Sequence, residues 1–450
     1  MKASLISLLA ATLLGVASLF AKDYVAGSPV RLRVDLDREV LPADSTERAV
    51  VKIGLDCVKL PPRAGRPPVN LALVIDRSGS MSGEKIAKAR EAALELVRQL
   101  GPDDIISIVA YDSGVEVLAP AQRVGRARGL EEAICSIEAG GNTALHGGVV
   151  RGAAEVRRHA ENERYVHRVI LLSDGQANVG PSSPEELGRL GASLVKEGIA
   201  VTTIGLGLGF NEDLMTRLAE RSDGNTYFVE DSADLPRIFA AELGDVLNVV
   251  ARRVVIEIEF PEGVRPLNFV GREGTIRGQR AELTLNQLYG GQEKFALVEV
   301  EVAPGRAGSE CEVARAEVRF EDAVNQRAAR LRADRKVKFS RDERTVVASA
   351  NHQVQAEFAA NALAAAKDQA VALADAGRRD EAAAVIRQRA DEMRKVAETY
   401  RNAALAAEAP AAAAEADRLE QEGLSNEKRK SYRAEAVQVR NQQALTSDRP

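Results

Sequence analysis

Between residues 71 and 249, short apolar runs alternate with stretches of helical spacing, and this alternation constrains the fold more than any other feature of the chain. Leu71 to Asp76, Asp104 to Ala110, Val169 to Ser173, Ile199 to Ile204 and Asn225 to Val229 read as buried strands. Lys85 to Leu100, Leu130 to Ile137, Leu145 to His159, Glu185 to Glu197, Glu212 to Arg221 and Leu235 to Val249 read as helices. Such alternation implies an α/β fold with a doubly wound, mostly parallel sheet. Ligands of such sheets sit beyond the carboxyl ends of the strands.

Two of these strands end in oxygen-bearing side chains. The first runs into Asp76-Arg-Ser78-Gly-Ser80 and another into Asp174-Gly175, while Gly140-Gly-Asn-Thr143 forms a Gly-rich turn ahead of a helix. Hard divalent cations take oxygen ligands, and Mg2+ keeps several waters in an octahedral shell. The Asp76, Ser78 and Ser80 trio alone has too few ligands and too little charge to enclose a cation. Thr143 and Asp174 would supply more and still leave room for a partner's oxygen. Helix capping also explains Asp, Ser and Thr after a strand. It accounts for the trio but not for Thr143 and Asp174 in their matching contexts.

The ordered set Asp-x-Ser-x-Ser, Gly-Gly-x-Thr and Ser-Asp-Gly resembles the von Willebrand factor A (VWA) domain and its metal-ion-dependent adhesion site. The resemblance implies a Rossmann-like domain, with Ser78, Ser80 and Thr143 as hydroxyl ligands. Asp76 and Asp174 would sit close to the metal, at least partly through water. The implied cation is Mg2+, with Mn2+ or Ca2+ as alternatives, and the implied partner is a protein with an exposed Asp or Glu. All five positions match the family pattern.

Flanking this region, the pattern changes to period two. Val30, Leu32, Val34 and Leu36 alternate, as do Val51 to Cys57 and Val254, Ile256, Ile258 and Phe260; short runs follow at Leu283 to Leu285, Val298 to Val302, Ala314 to Phe320 and Val337 to Phe339. Period two means half-buried strands, and several short ones suggest a β-sandwich. The leading strands are too few to bury a core alone. Residues 22–66 are therefore expected to complete a sandwich with 250–342, with the VWA domain (67–249) inserted through a linker, Pro61 to Pro68. This layout is similar to bacterial exported proteins that pair an A domain with a small sandwich. From residue 343 the composition turns to Ala, Glu, Gln and Arg, and Ile386, Met393, Val396 and Tyr400 share a helix face. Leu373 to Ala382 reads as a helix-turn-helix with a faint tetratricopeptide likeness. Pro410 and Gly423 are expected to divide the remainder into two helices. The expected α-helical C-terminal region, 343–443, packs on the sandwich, and 444–450 is expected to be a disordered tail.

Lys2 followed by apolar Ala3 to Phe20 reads as a signal peptide over 1–21, cut after Ala21 or Ser18, with a retained membrane anchor as the other reading. The protein is then exported: periplasmic, cell-surface or secreted. Of the three cysteines, Cys57 and Cys311 fall on strands that flank the inserted domain. The choice lies between three buried thiols and a Cys57–Cys311 disulfide with Cys135 free. A net charge of −5 with no basic patch excludes a nucleic-acid footprint. The four histidines are not paired at ligand spacing, so no zinc or iron set is visible. Gly205-x-Gly207-x-Gly209 is not the six-residue dinucleotide fingerprint, and Gly79-Ser-Met-Ser82-Gly83 lacks the spacing of a hydrolase elbow. The expected function is metal-dependent, adhesion-like protein binding rather than catalysis. The alternative is an assembly or regulatory subunit whose VWA domain docks onto an enzyme or chaperone complex. Activation of water by the metal is a third class, for which no general base stands ready.

Overall fold

The chain begins with β1 (Val30–Leu36), β2 (Val40–Pro42) and β3 (Glu47–Cys57). These come from a computed structural model that describes residues 27–59, 66–126, 129–162 and 164–443. The expected signal peptide (1–21), most of the Pro61–Pro68 linker and the expected tail (444–450) lie outside the described residues. β1 and β3 pair antiparallel, with Val30 opposite Cys57 and Leu36 opposite Val51.

The central region then runs β4 (Val69–Asp76), α1 (Glu84–Gln99), β5 (Ile105–Tyr111), β6 (Val115–Arg123), α2 (Leu130–Cys135), α3 (Leu145–Arg157), β7 (Val166–Ser173), α4 (Pro184–Lys196), β8 (Ile199–Leu206), α5 (Glu212–Arg221), β9 (Thr226–Val229) and α6 (Leu235–Val246). Its six strands lie in the order β6-β5-β4-β7-β8-β9. All are parallel except β6, which pairs antiparallel with β5. β4, β5, β7 and β8 are buried at every position because helices cover both faces of the sheet. Leu71, Leu73 and Ile75 pack with α1 and α6, whereas Ala72 and Val74 pack with α3 and α5. The chain crosses from β5 on one side of β4 to β7 on the other. The carboxyl end of β4, at Asp76, is therefore the switch point of the sheet.

Residues after α6 return to the first strands. β10 (Val249–Glu259), β11 (Val264–Val270), β12 (Thr275–Arg277), β13 (Arg280–Tyr289), β14 (Glu293–Val302), β15 (Glu310–Asp322) and β16 (Arg327–Ser340) follow in sequence. One sheet has the order β1-β3-β14-β11 and the other β12-β13-β10-β15-β16-β2. Alternate side chains of both, including Ile53, Val298, Ile256 and Val318, share one apolar core. The helix expected to reach Val249 stops at Val246, and Val249 already opens β10.

The Cys57–Cys311 disulfide is overturned, and so is burial of all three thiols: each cysteine is free, with Cys57 buried, Cys311 half-buried and Cys135 exposed. Cys57 pairs with Val30 at the end of the sandwich where Gly27 accepts a hydrogen bond from Asn325. Cys311 pairs with Val337 toward the other end, next to Lys338, which pairs with Val40. The two strand ends point apart, so no bond can form. Burial pushes the Cys57 thiol up to about 12.

Polar groups weld the parallel sheet to the sandwich. Arg168 of β7 is fully buried; it donates to Gln287 (2.7 Å) and Tyr289 (2.5 Å) on β13 and to Thr202 (3.2 Å) on β8. Buried Glu242 lies 3.8 Å from it and accepts from Thr202, Asn225 and Tyr227.

The neighbouring His167 is buried with Asn70 Nδ2 3.2 Å from its Nδ1. Burial, then Arg252, Arg253 and His159, push its pKa from 6.5 down to about 4. Below pH 6.5 the unfolded chain takes up a proton that the folded chain refuses. This share of stability is complete above pH 6.5 and is lost as pH falls toward 4, by about 3 kcal/mol in all. Denaturant unfolding at a series of pH values should show this loss, and His167→Gln should remove it.

The C-terminal helices are α7 (Glu343–Ala348), α8 (His352–Asp375), α9 (Arg379–Tyr400), α10 (Ala403–Glu422) and α11 (Asn426–Arg440). Pro410 does not divide the segment; it lies inside α10, whose limits are Asn402, capping Leu405 N–H, and Gly423. Leu405, Ala409, Ala412 and Ala416 stay buried on both sides of the proline, so packing carries the helix across the lost hydrogen bond. α8 packs on the sandwich through Val354 against Val50, Phe295 and Leu297. Buried Lys52 reaches Glu293 (2.8 Å) and Glu357 (2.6 Å) beside it. The contact is wider than expected, because α11 lies against α5 and β9 of the parallel sheet. Arg429 binds Glu212, Asp213 and Asp375, while Lys430 binds Glu212 and donates to the Phe210 carbonyl (2.5 Å). The Gln443 side-chain amide accepts from Thr226 N–H and donates to the Thr226 carbonyl (3.0 Å each), satisfying both backbone groups of that residue at the edge of β9.

Candidate metal site

β4 delivers Asp76 to the switch point, and β7, its parallel neighbour, delivers Ser173 and then Asp174. Asp76 uses both oxygens: Oδ1 accepts from Ser78 N–H (2.8 Å), and Oδ2 accepts from the hydroxyls of Ser173 (2.7 Å) and Tyr111 (3.3 Å). The Asp76–Ser78 bond bends the chain away from the strand and aims both serines upward. The bend is anchored by fully buried Met81 and by Gly79 N–H, which donates to the Gly141 carbonyl (3.0 Å).

That last bond brings in the turn that carries Thr143. Its N–H donates to Asn178 Oδ1 (2.8 Å), and its carbonyl accepts from Asn178 and Val179 N–H (3.2 and 3.3 Å). Thr143 is thus fixed by the loop that follows Asp174. On the other side, Ser80 Oγ donates to Asp174 Oδ1 (2.7 Å), and Ser78 Oγ lies 3.1 Å from Ser80 Oγ. The Lys85 ammonium, from the first turn of α1, pairs with Asp174 Oδ2 and lies 3.4 Å from the Ser80 carbonyl.

The convergence is clearest at Gly175. A Cβ placed there would lie 3.2 Å from Thr143 Oγ1, 3.5 Å from Ser80 Oγ and 3.8 Å from Ser78 Oγ. Three hydroxyl oxygens therefore surround one small space that a side chain at position 175 would fill. Two carboxylates back it, and both are buried, as are Ser78 and Thr143; only Ser80 is exposed. Burial raises the pKa of Asp76, opposed by the bonds from Ser173 and Ser78 and reinforced by Asp174. Burial and Asp76 also hold the Tyr111 hydroxyl protonated well beyond its ordinary range.

The donor set is all oxygen, which suits a hard divalent cation. Among the described residues no three His, Cys, Asp or Glu side chains gather at one point, so the negative charge of this cluster comes from Asp76 and Asp174, with the Lys85 ammonium against the latter. The structure brings together all five residues singled out from the sequence. It adds Tyr111, Ser173, Asn178 and Lys85, which hold those five in place. Tyr111 had a signal: it ends the apolar run neighbouring β4 and stands in register with Asp76. Ser173 was the residue just before Asp174. Nothing in the spacing marked Lys85 or Asn178.

Comparison with known proteins agrees with this geometry. The family model for the von Willebrand factor type A domain matches residues 70–241. An uncharacterized protein of Synechocystis sp. is 28% identical over 254 residues, 54% of this chain and 60% of that protein. The chain spans less than two thirds of the length of the curated relatives it matches. A solved von Willebrand factor type A protein from Catenulispora acidiphila superimposes with a TM-score of 0.65 at 20% identity, covering 84% of this chain and 89% of that one. The ArnB paralog VWA2 from Sulfolobus acidocaldarius gives 0.60 at 19% identity, covering 92% of this chain and 98% of that one. In these two the likeness extends well past the parallel sheet, although at such identity it speaks for fold alone. Sequence and fold together assign the segment from residue 70 to residue 241 to the von Willebrand factor type A family.

Proposed function

We propose that this chain binds a partner protein through a divalent cation held by Asp76, Ser78, Ser80, Thr143 and Asp174. Type A domains are protein-interaction modules that commonly hold a divalent metal. The finer reading rests on one observation: three hydroxyls converge on the space beside Gly175, in front of two buried carboxylates. A divalent cation bound there, Mg2+ on this reading, supplies a coordination position for an incoming carboxylate. The hydroxyls add no charge and the Lys85 ammonium offsets one of the two aspartates, so a divalent ion bound there would leave net positive charge that draws an acidic side chain from outside. Asp76 acts mainly by position, because both of its oxygens already orient neighbouring groups. Binding rather than catalysis is the reading this inventory supports: both aspartates are engaged, Asp76 with Ser78, Ser173 and Tyr111 and Asp174 with Ser80 and Lys85, so neither stands ready as a general base. The apolar segment from Ala3 to Phe20 supports export, so the partner would be met outside the cytoplasm.

Full-length protein immobilised in Mg2+ should retain a partner that EDTA releases. Thr143→Ala should weaken Mg2+ binding in calorimetry by at least roughly tenfold, the lower end of what outer-shell partners of metal sites contribute. Retention that is indifferent to EDTA would overturn the metal-dependent reading.

A further inference from the structure

The loop after β8, from Gly207 to Phe210, borders the site and carries an exposed leucine. A Cβ at Gly209 would lie 2.9 Å from the Asp174 carbonyl, and one at Gly207 would lie 3.9 Å from the Lys85 ammonium that pairs with Asp174. Leu208 stands between these two glycines and is 47% exposed. Large apolar side chains this open are few among the described residues: Val58, Val115, Val150 and Leu208. Val115 opens β6, on the side of β4 opposite to β8, and its Cγ2 packs over Gly147 of α3, one turn before Val150. Val58 lies in the sandwich, just past β3, whereas Leu208 lies on one side of β4 and Val115 and Val150 on the other.

The Leu208 loop is also held from behind. The Asn426 amide lies 3.5 Å from the Leu208 carbonyl, and Lys430 donates to the Phe210 carbonyl with its ammonium 4.4 Å from the centre of the Phe210 ring. The Phe210 ring in turn lies over Gly205, where a Cβ would come within 2.3 Å of it. An exposed leucine on a loop braced by a distant helix is preorganised for contact, which lowers the entropy lost on docking. The brace also places the turn between α10 and α11, with exposed Ser425 to Lys428, beside the metal face.

We infer that Leu208 and the α10–α11 turn form the second half of the docking face, and that the partner presents an apolar side chain next to its acidic one. This rests on the metal-dependent reading above. The carboxylate seeks the cation, and the neighbouring apolar group covers Leu208, which brings the C-terminal region into the recognition surface.

The test uses the full chain flowed over two immobilised synthetic peptides of equal length. Each is a Gly/Ser chain with one central Glu, flanked on both sides by Leu in one peptide and by Ser in the other, measured in Mg2+ and in EDTA. The Leu-flanked peptide should retain the protein on the order of tenfold more strongly in Mg2+, the worth of covering part of one leucine. Leu208→Ser should erase the difference between the peptides. Equal retention of both peptides in Mg2+ by the parent chain overturns the apolar contact and leaves acid binding standing. Retention of neither above its EDTA level overturns the metal-dependent reading and this inference with it. A preference for Leu that survives in Leu208→Ser overturns the assignment to this loop.

Discussion

Asp76→Ala abolishes detectable Mg2+ binding, a fall of at least about a hundredfold, and leaves a folded protein. The substitution removes one of two carboxylates from a site whose other donors are uncharged hydroxyls, and the carboxylate that remains, Asp174, is already paired with Lys85. It also frees Ser78 N–H and the hydroxyls of Ser173 and Tyr111, which lose the acceptor that positions them. Orphaned buried donors cost stability, whereas loss of a carboxylate whose pKa burial has raised restores some. The two effects oppose each other, and the unfolding free energy should move by less than about 2 kcal/mol. Calorimetric titration and denaturant unfolding of the same preparation separate the outcomes. Undiminished Mg2+ binding by the variant would reject the site. Asp76→Asn keeps an acceptor for the hydroxyls, so it should bind metal as poorly while unfolding closer to the parent.

The largest effect on stability is expected far from the metal. Arg168→Met should destabilise the fold by about 3–5 kcal/mol, because it removes the buried cation beside the fully buried Glu242 carboxylate and the donor to Gln287 and Tyr289. Adding Glu242→Gln should recover part of the loss, since an uncharged amide is cheaper to bury than a lone carboxylate. A double variant as unstable as the sum of the two singles would show that Arg168 and Glu242 act independently. Because Gln287 and Tyr289 belong to the sandwich, the same variant should also loosen the joint between sandwich and parallel sheet. Hydrogen exchange at β13 would report it.

What the sequence made legible follows from burial. β4, β7 and β8 are covered on both faces, so their apolar runs are unbroken and easily read. β6 is an edge strand with a mostly open face and contains Pro120, so no apolar run marks it in the sequence. β11 escaped for a similar reason, with Pro266 beside a register shift in its pairing. The five oxygen donors were legible because a short bend and a Gly-rich turn leave their order intact along the chain. Lys85 was not, because a lysine in the first turn of a helix reads as solvated until the fold places Asp174 above it. Arg429, Lys430 and Arg433 were missed in the same way: on a helix alone they are a polar face, and only the tertiary structure sets Glu212 and Asp213 opposite them. The cysteines mark a different limit. Alternation shows that Cys57 points inward, but it does not show which end of which sheet a strand end will occupy.

The pairing of β3 with β14 sets an order of events during synthesis. Asp56 faces Glu293, so the strand made near the start of the chain finds its central neighbour only after the whole parallel sheet and β10 to β13 have been made. Until then β1 and β3 are a hairpin with a bare edge and an uncovered apolar face, a form of limited stability in water. Contacts this distant in sequence form late and slowly. A sandwich that cannot close until residue 302 exists leaves the leading segment without its tertiary partners throughout that interval. The same delay makes the hairpin the part of the nascent chain most exposed to misassembly, and the part that a holding chaperone would be expected to grip first.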